Sequence, residues 1–274
     1  MDRPVTYDFA GKSVVVTGAA RGIGRTIAER FAAAGGAVVV ADLNESDAQQ
    51  AAAEICEKGG KAAAFAVNVA DSAQVSTLME FAKQEHGGLH VLVNNAGVST
   101  TKIIEETTEE DWRRVVDINL TGPFLTCKAA LPLLRAAGGG KIVNVASVAA
   151  KRISFNASAN YTASKAGLLA FTRHLAYEAA PDNINVNAIC PGPVLSPMQF
   201  NTASPETMRE RVGSVPMGRL TSTDDQADAV LFLSSSAASM INGAAIDVDG
   251  GSLLGWYDVA TYFERRHATR AGGA

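Results

Sequence analysis

From residue 13 almost to its end, the chain alternates between short β-branched runs and longer alanine-rich stretches of helical periodicity. Such a chain is tightly constrained, because a strand that returns parallel to its predecessor needs a crossover of a dozen or more residues, usually a helix. The candidate strands are SVVVT (13–17), AVVVA (37–41), AAAFAV (62–67), LHVLVN (89–94), KIVNVA (141–146), INVNAIC (184–190) and AAIDVD (244–249). They are near-continuous apolar runs, as expected of strands covered on both faces. Helical stretches fall at 23–34, 46–58, 72–86, 109–136, 158–180 and 224–235. The pattern predicts an α/β chain: one doubly wound domain over 1–274, with a seven-stranded, mostly parallel sheet and helices on both faces. Length alone would allow two domains, but no linker interrupts the rhythm.

Two segments depart from it. Residues 191–219 are proline-rich and carry Met198, Phe200, Met208 and Met217 on a polar background. An excursion after a strand's carboxyl end is where α/β chains place loops that cover a ligand, so this is the expected substrate loop. The tail, 252–274, gathers Trp256, Tyr257, Tyr262 and Phe263. Aromatics there are expected to dock on the same subunit or a neighbour, and to help close the pocket.

A formal charge of −4 argues against a nucleic-acid partner, which would want a concentrated basic face. Cys56, Cys127 and Cys190 lie far apart and read as small buried thiols. His86, His90, His174 and His267 are scattered without acidic or thiol partners at ligand spacing, so no metal is expected. No leader-like apolar run opens the chain and none is long enough to span a bilayer, so the expectation is a cytoplasmic protein with no membrane partner.

The first predicted strand ends in T17-G18-A19-A20-R21-G22-I23-G24 and runs directly into a helical pattern. Gly18, Gly22 and Gly24 allow the backbone to turn sharply against a pyrophosphate, whose charge the free amides beside Arg21 and Ile23 would stabilise. The strand, turn and helix order is that of a Rossmann-type dinucleotide site, although the spacing is GxxxGxG. The second strand is followed by Asp42, whose carboxylate can accept from both ribose hydroxyls and would repel a 2′-phosphate, which favours NAD. Arg21 could pair with such a phosphate, so NADP stays open; Asp42 could instead be a turn or capping residue ahead of Asn44 and Ser46.

Taken with N94-N95-A96-G97, Y161-T162-A163-S164-K165 and P191-G192, that turn resembles the short-chain dehydrogenase/reductase family, from Gly11 to Gly251. The resemblance implies a catalytic quartet of Asn119, Ser147, Tyr161 and Lys165, with Asn119 holding a water that relays protons from Lys165. It implies cofactor contacts from Asn68 and Val69 beside the adenine, from Asn95, Ala96 and Gly97 on the adenosine side, from Tyr161 and Lys165, and from Pro191, Gly192, Val194 and Ser196 near the nicotinamide. It also implies a homotetramer, for which the Ala- and Leu-rich faces of 109–136 and 158–180 are candidates. Ser147 stands fourteen residues before Tyr161, one more than the family's habit, which suggests an insertion in 149–156. Asn68 stands where an Asp is usual.

The chemistry follows from the residues as well. Hydride transfer from a secondary alcohol needs a group that takes the hydroxyl proton, and an unperturbed tyrosine is a poor base at neutral pH. Tyr161 and Lys165 lie one helical turn apart, where an ammonium would favour the phenolate. Ser147, after a strand end, can hydrogen-bond the substrate oxygen. Asn119 falls inside what reads as a regular helix, where Asn is a mild liability and a buried structural role competes. The expected activity is NAD-dependent interconversion of a small secondary alcohol and a ketone. The alternatives are an NADPH-dependent 3-oxoacyl-thioester reductase and a non-catalytic dinucleotide-binding regulator. Substrate contacts are expected from Val148, Phe155, Asn156, Met198 and Phe200.

Overall fold

A computed structural model describes residues 6–153, 157–194, 204–255 and 258–271. The strands are β1 (Ser13–Thr17), β2 (Ala37–Asp42), β3 (Lys61–Ala66), β4 (Val91–Asn94), β5 (Gly140–Val145), β6 (Ile184–Pro191) and β7 (Ala245–Val248). They form one seven-stranded sheet in the order β3-β2-β1-β4-β5-β6-β7, and every pair is parallel. All carboxyl ends therefore lie along one edge, and the order reverses between β1 and β4, where such sheets open a crevice.

Strand alternation divides the core. Val14 and Val16 pack with Ile27, Ala28 and Phe31 of α1 (Gly22–Ala33), with α2 (Glu45–Glu57), and with α8 (Thr223–Ser234). Val15 faces the other way, toward α3 (Ser72–His86), α5 (Gly122–Ala136) and α6 (Ala159–Ala179). Period-two alternation in a strand apolar on both sides produces these two layers.

The structure corrects several readings. The stretch 109–136 is not one regular helix: α4 (Glu109–Val116) passes through a π-helical segment, Asp117–Thr121, into α5. Pro123 has no N–H to serve the carbonyl of Asn119 four residues earlier, and Gly122 is pressed so closely on Val69 that a Cβ would sit 2.9 Å from its Cγ2. Asn119 thus lies in a π segment. The excursion at 191–219 contains α7 (Pro205–Gly213), with Ser204 accepting from the Thr207 amide as its cap. The tail contains α9 (Val259–Ala271), on which Tyr262 and Phe263 stack edge to face and stay half exposed. Cys127 and Cys190 are buried, but Cys56 is exposed. His174 does have an acidic partner, Glu178, one turn along the exposed surface of α6, a single pair and not a ligand set. Among the described residues no helix is long and apolar enough to cross a membrane, and no group of three or more His, Cys, Asp or Glu side chains could hold a metal ion.

At the amino edge of the sheet, His90 Nδ1 accepts the Ser13 amide at 3.1 Å, tying the start of β1 to the approach to β4. Burial, and secondarily Lys12, hold the imidazole below its ordinary pKa. The unfolded chain takes up this proton near pH 6.5 while the folded chain resists it, so the contribution to stability is intact above that pH and lost as pH falls. Melting temperature should therefore drop less between pH 7.5 and 5.5 in His90→Gln than in the wild type; equal drops would reject the assignment.

Candidate active site

The crevice between β1 and β4 is built by two residues at strand ends. Thr17 is buried, and its Oγ1 accepts the amides of Asn95 and Ala96, both at 3.1 Å. Asn95 Nδ2 donates back to the carbonyls of Thr17 at 3.0 Å and Gly18 at 2.9 Å. This clamp explains the glycines around it. Gly18 turns with φ +62, and a Cβ there would meet Ala96 Cα at 2.8 Å. At Gly24 a Cβ would lie 2.3 Å from the Gly18 carbonyl oxygen and 2.4 Å from Asn95 Nδ2. Arg21, at the N-cap of α1, has no side-chain oxygen to accept a capping bond, and the first turn holds no acidic residue, so the amides of Gly22, Ile23 and Gly24 remain available for an anion.

Asp42 ends β2 beside this turn. Its Oδ2 accepts the Ala20 amide at 3.0 Å and its Oδ1 the Asn44 amide at 3.1 Å. The capping residue of α2 is Asn44, not Asp42. Next to it a cleft of about 380 Å³ is lined by Arg21, Arg25, Glu29, Asp47 and Glu54, among others. Arg25 is already paired, to Glu29 at 3.1 Å and Glu54 at 2.9 Å. Arg21 is exposed and makes no ion pair. On the far side, Asn68 Oδ1 accepts the Ala70 amide at 3.0 Å and keeps a second lone pair free; the Val69 side chain is buried against Gly122 and leaves only its backbone to a ligand.

The residues expected to carry the chemistry gather at the carboxyl end of β5. Ser147 follows that strand, caps the 3₁₀ turn Val148–Ala150 through the Ala149 amide at 3.1 Å, and has its hydroxyl beside the Tyr161 phenol. Lys165 is buried one turn along α6; its Nζ lies 5.7 Å from the centre of the Tyr161 ring and donates to the Val145 carbonyl at 2.8 Å. Burial pushes the phenol above its ordinary pKa, partly offset by the Ser147 hydrogen bond, and brings the lysine down to about 8. The expectation of a lysine-stabilised phenolate thus needs correcting: desolvation opposes both charged forms and dominates in the protein alone. Asn119 is fully buried, with Oδ1 accepting the Val98 amide at 2.8 Å and Nδ2 donating to the Val98 carbonyl at 2.9 Å and Ser164 Oγ at 3.2 Å. Its side chain serves as a structural tie. A Cβ on Gly97 would sit 3.3 Å from Asn119 Oδ1 and 3.5 Å from Lys165 Nζ. Gly97 therefore lies beside Asn119 and Lys165.

Comparison with known proteins decides the family. A family profile described as enoyl-(acyl carrier protein) reductase matches residues 18–252. The chain is 38% identical to trans-4-hydroxycyclohexanecarboxylate dehydrogenase of Sinomonas cyclohexanicum over 92% of its own length and 96% of that protein. The chain belongs to the short-chain dehydrogenase/reductase family. It is also 36% identical to a 3-oxoacyl-(acyl-carrier-protein) reductase of Thermotoga maritima, over 89% of this chain and 98% of that one. Among solved structures, 7α-hydroxysteroid dehydrogenase complexed with NADH and 7-oxo glycochenodeoxycholic acid superposes with a TM-score of 0.84 at 34% identity, covering 90% of this chain and 96% of that one.

Short-chain dehydrogenases are oxidoreductases that bind NAD or NADP, and the residues here fit such a cofactor. Gly18, Gly24 and Gly97 stand where a side chain would close the crevice, and at Gly192 a Cβ would lie 2.6 Å from Asp249 Cα. Gly192 follows Pro191, the last residue of β6, and its amide bonds the Val248 carbonyl at 3.0 Å; Val194 bridges to Thr221. Ser196, Met198, Phe200, Phe155, Asn156, Trp256 and Tyr257 lie outside the described residues. The sequence reading missed Thr17 as the centre of the clamp and Ser164 as the anchor of Asn119, although both stand inside motifs it singled out. A buried hydroxyl announces no partner until the strands are paired.

Gly24→Ala should weaken NADH binding by about tenfold or more, because the turn and the Asn95 clamp cannot both keep their positions. Fluorescence titration of NADH measures it, and an unchanged dissociation constant would show that the turn does not touch the cofactor.

Proposed function

We propose that this short-chain dehydrogenase uses NAD to interconvert a secondary alcohol and a ketone, with Tyr161 as proton donor and acceptor. The observation that carries the reading is the part-buried Tyr161 phenol beside Ser147, with buried Lys165 one turn away, its Nζ 5.7 Å from the centre of the Tyr161 ring. Gly18, Arg21, Gly22, Ile23, Gly24, Asp42, Asn68, Val69, Asn95, Ala96, Pro191, Gly192, Val194 and Ser196 would hold the cofactor, which when bound supplies the hydride-accepting or hydride-donating ring.

Burial leaves the phenol protonated at neutral pH, ready to give its proton to a ketone oxygen as hydride arrives at the carbonyl carbon. In the reverse direction the phenolate takes the alcohol proton, and Ser147 steadies the substrate oxygen. Lys165, charged below about pH 8, stands with its Nζ 5.7 Å from the centre of the Tyr161 ring, and the Val145 carbonyl holds its ammonium in place. With the Asn119 side chain spent on Val98 and Ser164, any proton relay there uses its main chain.

NAD over NADP is supported by the acidic wall beside Asp42, where Glu29, Asp47 and Glu54 stand and Arg25 is neutralised by ion pairs. A 2′-phosphate would find Arg21 against these carboxylates. Relatives named for ring alcohols, including the cyclohexanol dehydrogenase of Acinetobacter sp., support a cyclic or branched secondary alcohol as substrate. The relatives named 3-oxoacyl-(acyl-carrier-protein) reductase favour the second reading, a thioester reductase. Half-exposed Phe124 on α5 and exposed Tyr177 on α6 suit the homotetramer we infer for the assembled enzyme.

An absorbance assay on a panel of secondary alcohols, with NAD and NADP in parallel, should show turnover at least about tenfold faster with NAD; preference for NADP would favour the thioester reductase. Tyr161→Phe should retain NADH binding and lose about 100-fold or more in kcat, and a variant that keeps its rate would remove the assigned acid. Alcohol oxidation should climb from pH 6 toward 9 as the small ionised fraction of the raised phenol grows, whereas ketone reduction should stay nearly level because the phenol remains protonated over that range. An oxidation rate that does not change with pH would contradict the proton role.

A further inference from the structure

A row of polar side chains crosses the core at the base of the site, and no step of the proposed chemistry uses it. Thr126 Oγ1 donates to Asn94 Oδ1 at 2.6 Å, Asn94 Nδ2 to Asn144 Oδ1 at 2.9 Å, and Asn144 Nδ2 to Thr172 Oγ1 at 2.8 Å. The Thr172 hydroxyl spends its single proton on the Leu168 carbonyl at 2.7 Å, which leaves its lone pairs for Asn144. All four residues are 3% exposed or less. Asn94 and Asn144 are in register on neighbouring parallel strands. Apolar side chains would suit the middle of a sheet covered on both faces, and burying amides there gains little stability even when every bond is made. What a continuous hydrogen-bonded polar row does supply is a unique alignment.

The alignment it imposes is that of α6 on β5. Thr172 lies seven residues after Lys165 and eleven after Tyr161, so the three side chains share one helix face. Along β5, Asn144 holds Thr172 and the Val145 carbonyl holds Lys165, while Ser147 stands just beyond the strand. The neighbouring contacts of α6, Leu168 and Leu169 against Ala146 and Ala188, are apolar and tolerate sliding. A hydrogen bond at 2.8 Å does not.

We propose that Asn144 and Thr172 are positioning residues: a buried latch that fixes the longitudinal setting of α6 on β5, and with it the placement of Tyr161 and Lys165. The proposal rests on the reading of Tyr161 as the acid and base. Misplacement by an ångström can cost 100-fold in rate without altering what binds.

Thr172→Val keeps the shape and removes the hydroxyl, and Thr172→Ser keeps the hydroxyl. Two readouts are needed. The first is steady-state kinetics with NADH binding: Thr172→Val should lose about tenfold in kcat with KM and NADH affinity within about twofold, and Thr172→Ser should recover most of that loss. The second is titration of Tyr161 by ultraviolet difference absorbance against Tyr161→Phe, which needs no substrate. Lys165 on α6 lies against the Tyr161 ring, and Cys190 on β6 lies near Lys165 and beside Lys151 and Asp247; all are retained in both variants. The titration midpoint should move in Thr172→Val and return in Thr172→Ser. Wild-type rate and midpoint in Thr172→Val would overturn the latch, as would equal losses in both variants. If Thr172→Val does not fold, Thr172→Ala, which adds no steric demand, takes its place in both readouts. Absence of wild-type turnover on every alcohol would count against the acid-base reading, and the titration would still decide the latch.

Discussion

The width of the crevice at β1 and β4 is set by a few hydrogen bonds between the ends of two strands, and the functional edge is arranged around them. Thr17 receives two amides from the other side and Asn95 returns two donors to the glycine turn. Each is a backbone group that would otherwise be stranded where the ladder stops, so the clamp satisfies polar groups and defines a shape together. The glycines follow from it. Gly18 and Gly24 are required because the clamp leaves no volume for a Cβ, and the amides at the head of α1 come to face the same opening.

On the opposite side, the proposed chemistry rests on a conflict between solvation and charge. Tyr161 and Lys165 are drawn out of water together, which raises one pKa and lowers the other. The protein by itself therefore holds a neutral phenol over a lysine close to its titration point. That state suits proton transfer in either direction, because neither group is locked in one protonation state by a strong ion pair.

The fold class was legible from the order of apolar runs, and all seven predicted strands are present within a few residues of their expected ends. The glycine turn, Asp42, Ser147 and the Tyr161–Lys165 pair were legible because their spacing along one strand end or one helix face puts them together by local geometry. The break at Asn119 was not read, although Pro123 marks it, because hydrophobic periodicity continues through the π segment. The helices Pro205–Gly213 and Val259–Ala271 escaped for the opposite reason: their polar composition shows little apolar periodicity.

Sequence by itself determined the elements, their parallel order and which side chains could perform proton chemistry, since periodicity and short spacings act over one strand or one turn. Only the tertiary structure decided which partner each buried polar group would have. Thr17 with Asn95, Asn119 with Val98, and Asn144 with Thr172 join residues 21 to 78 positions apart. Such pairings depend on which strands become neighbours and how the helices settle across them, and no local pattern encodes that distance.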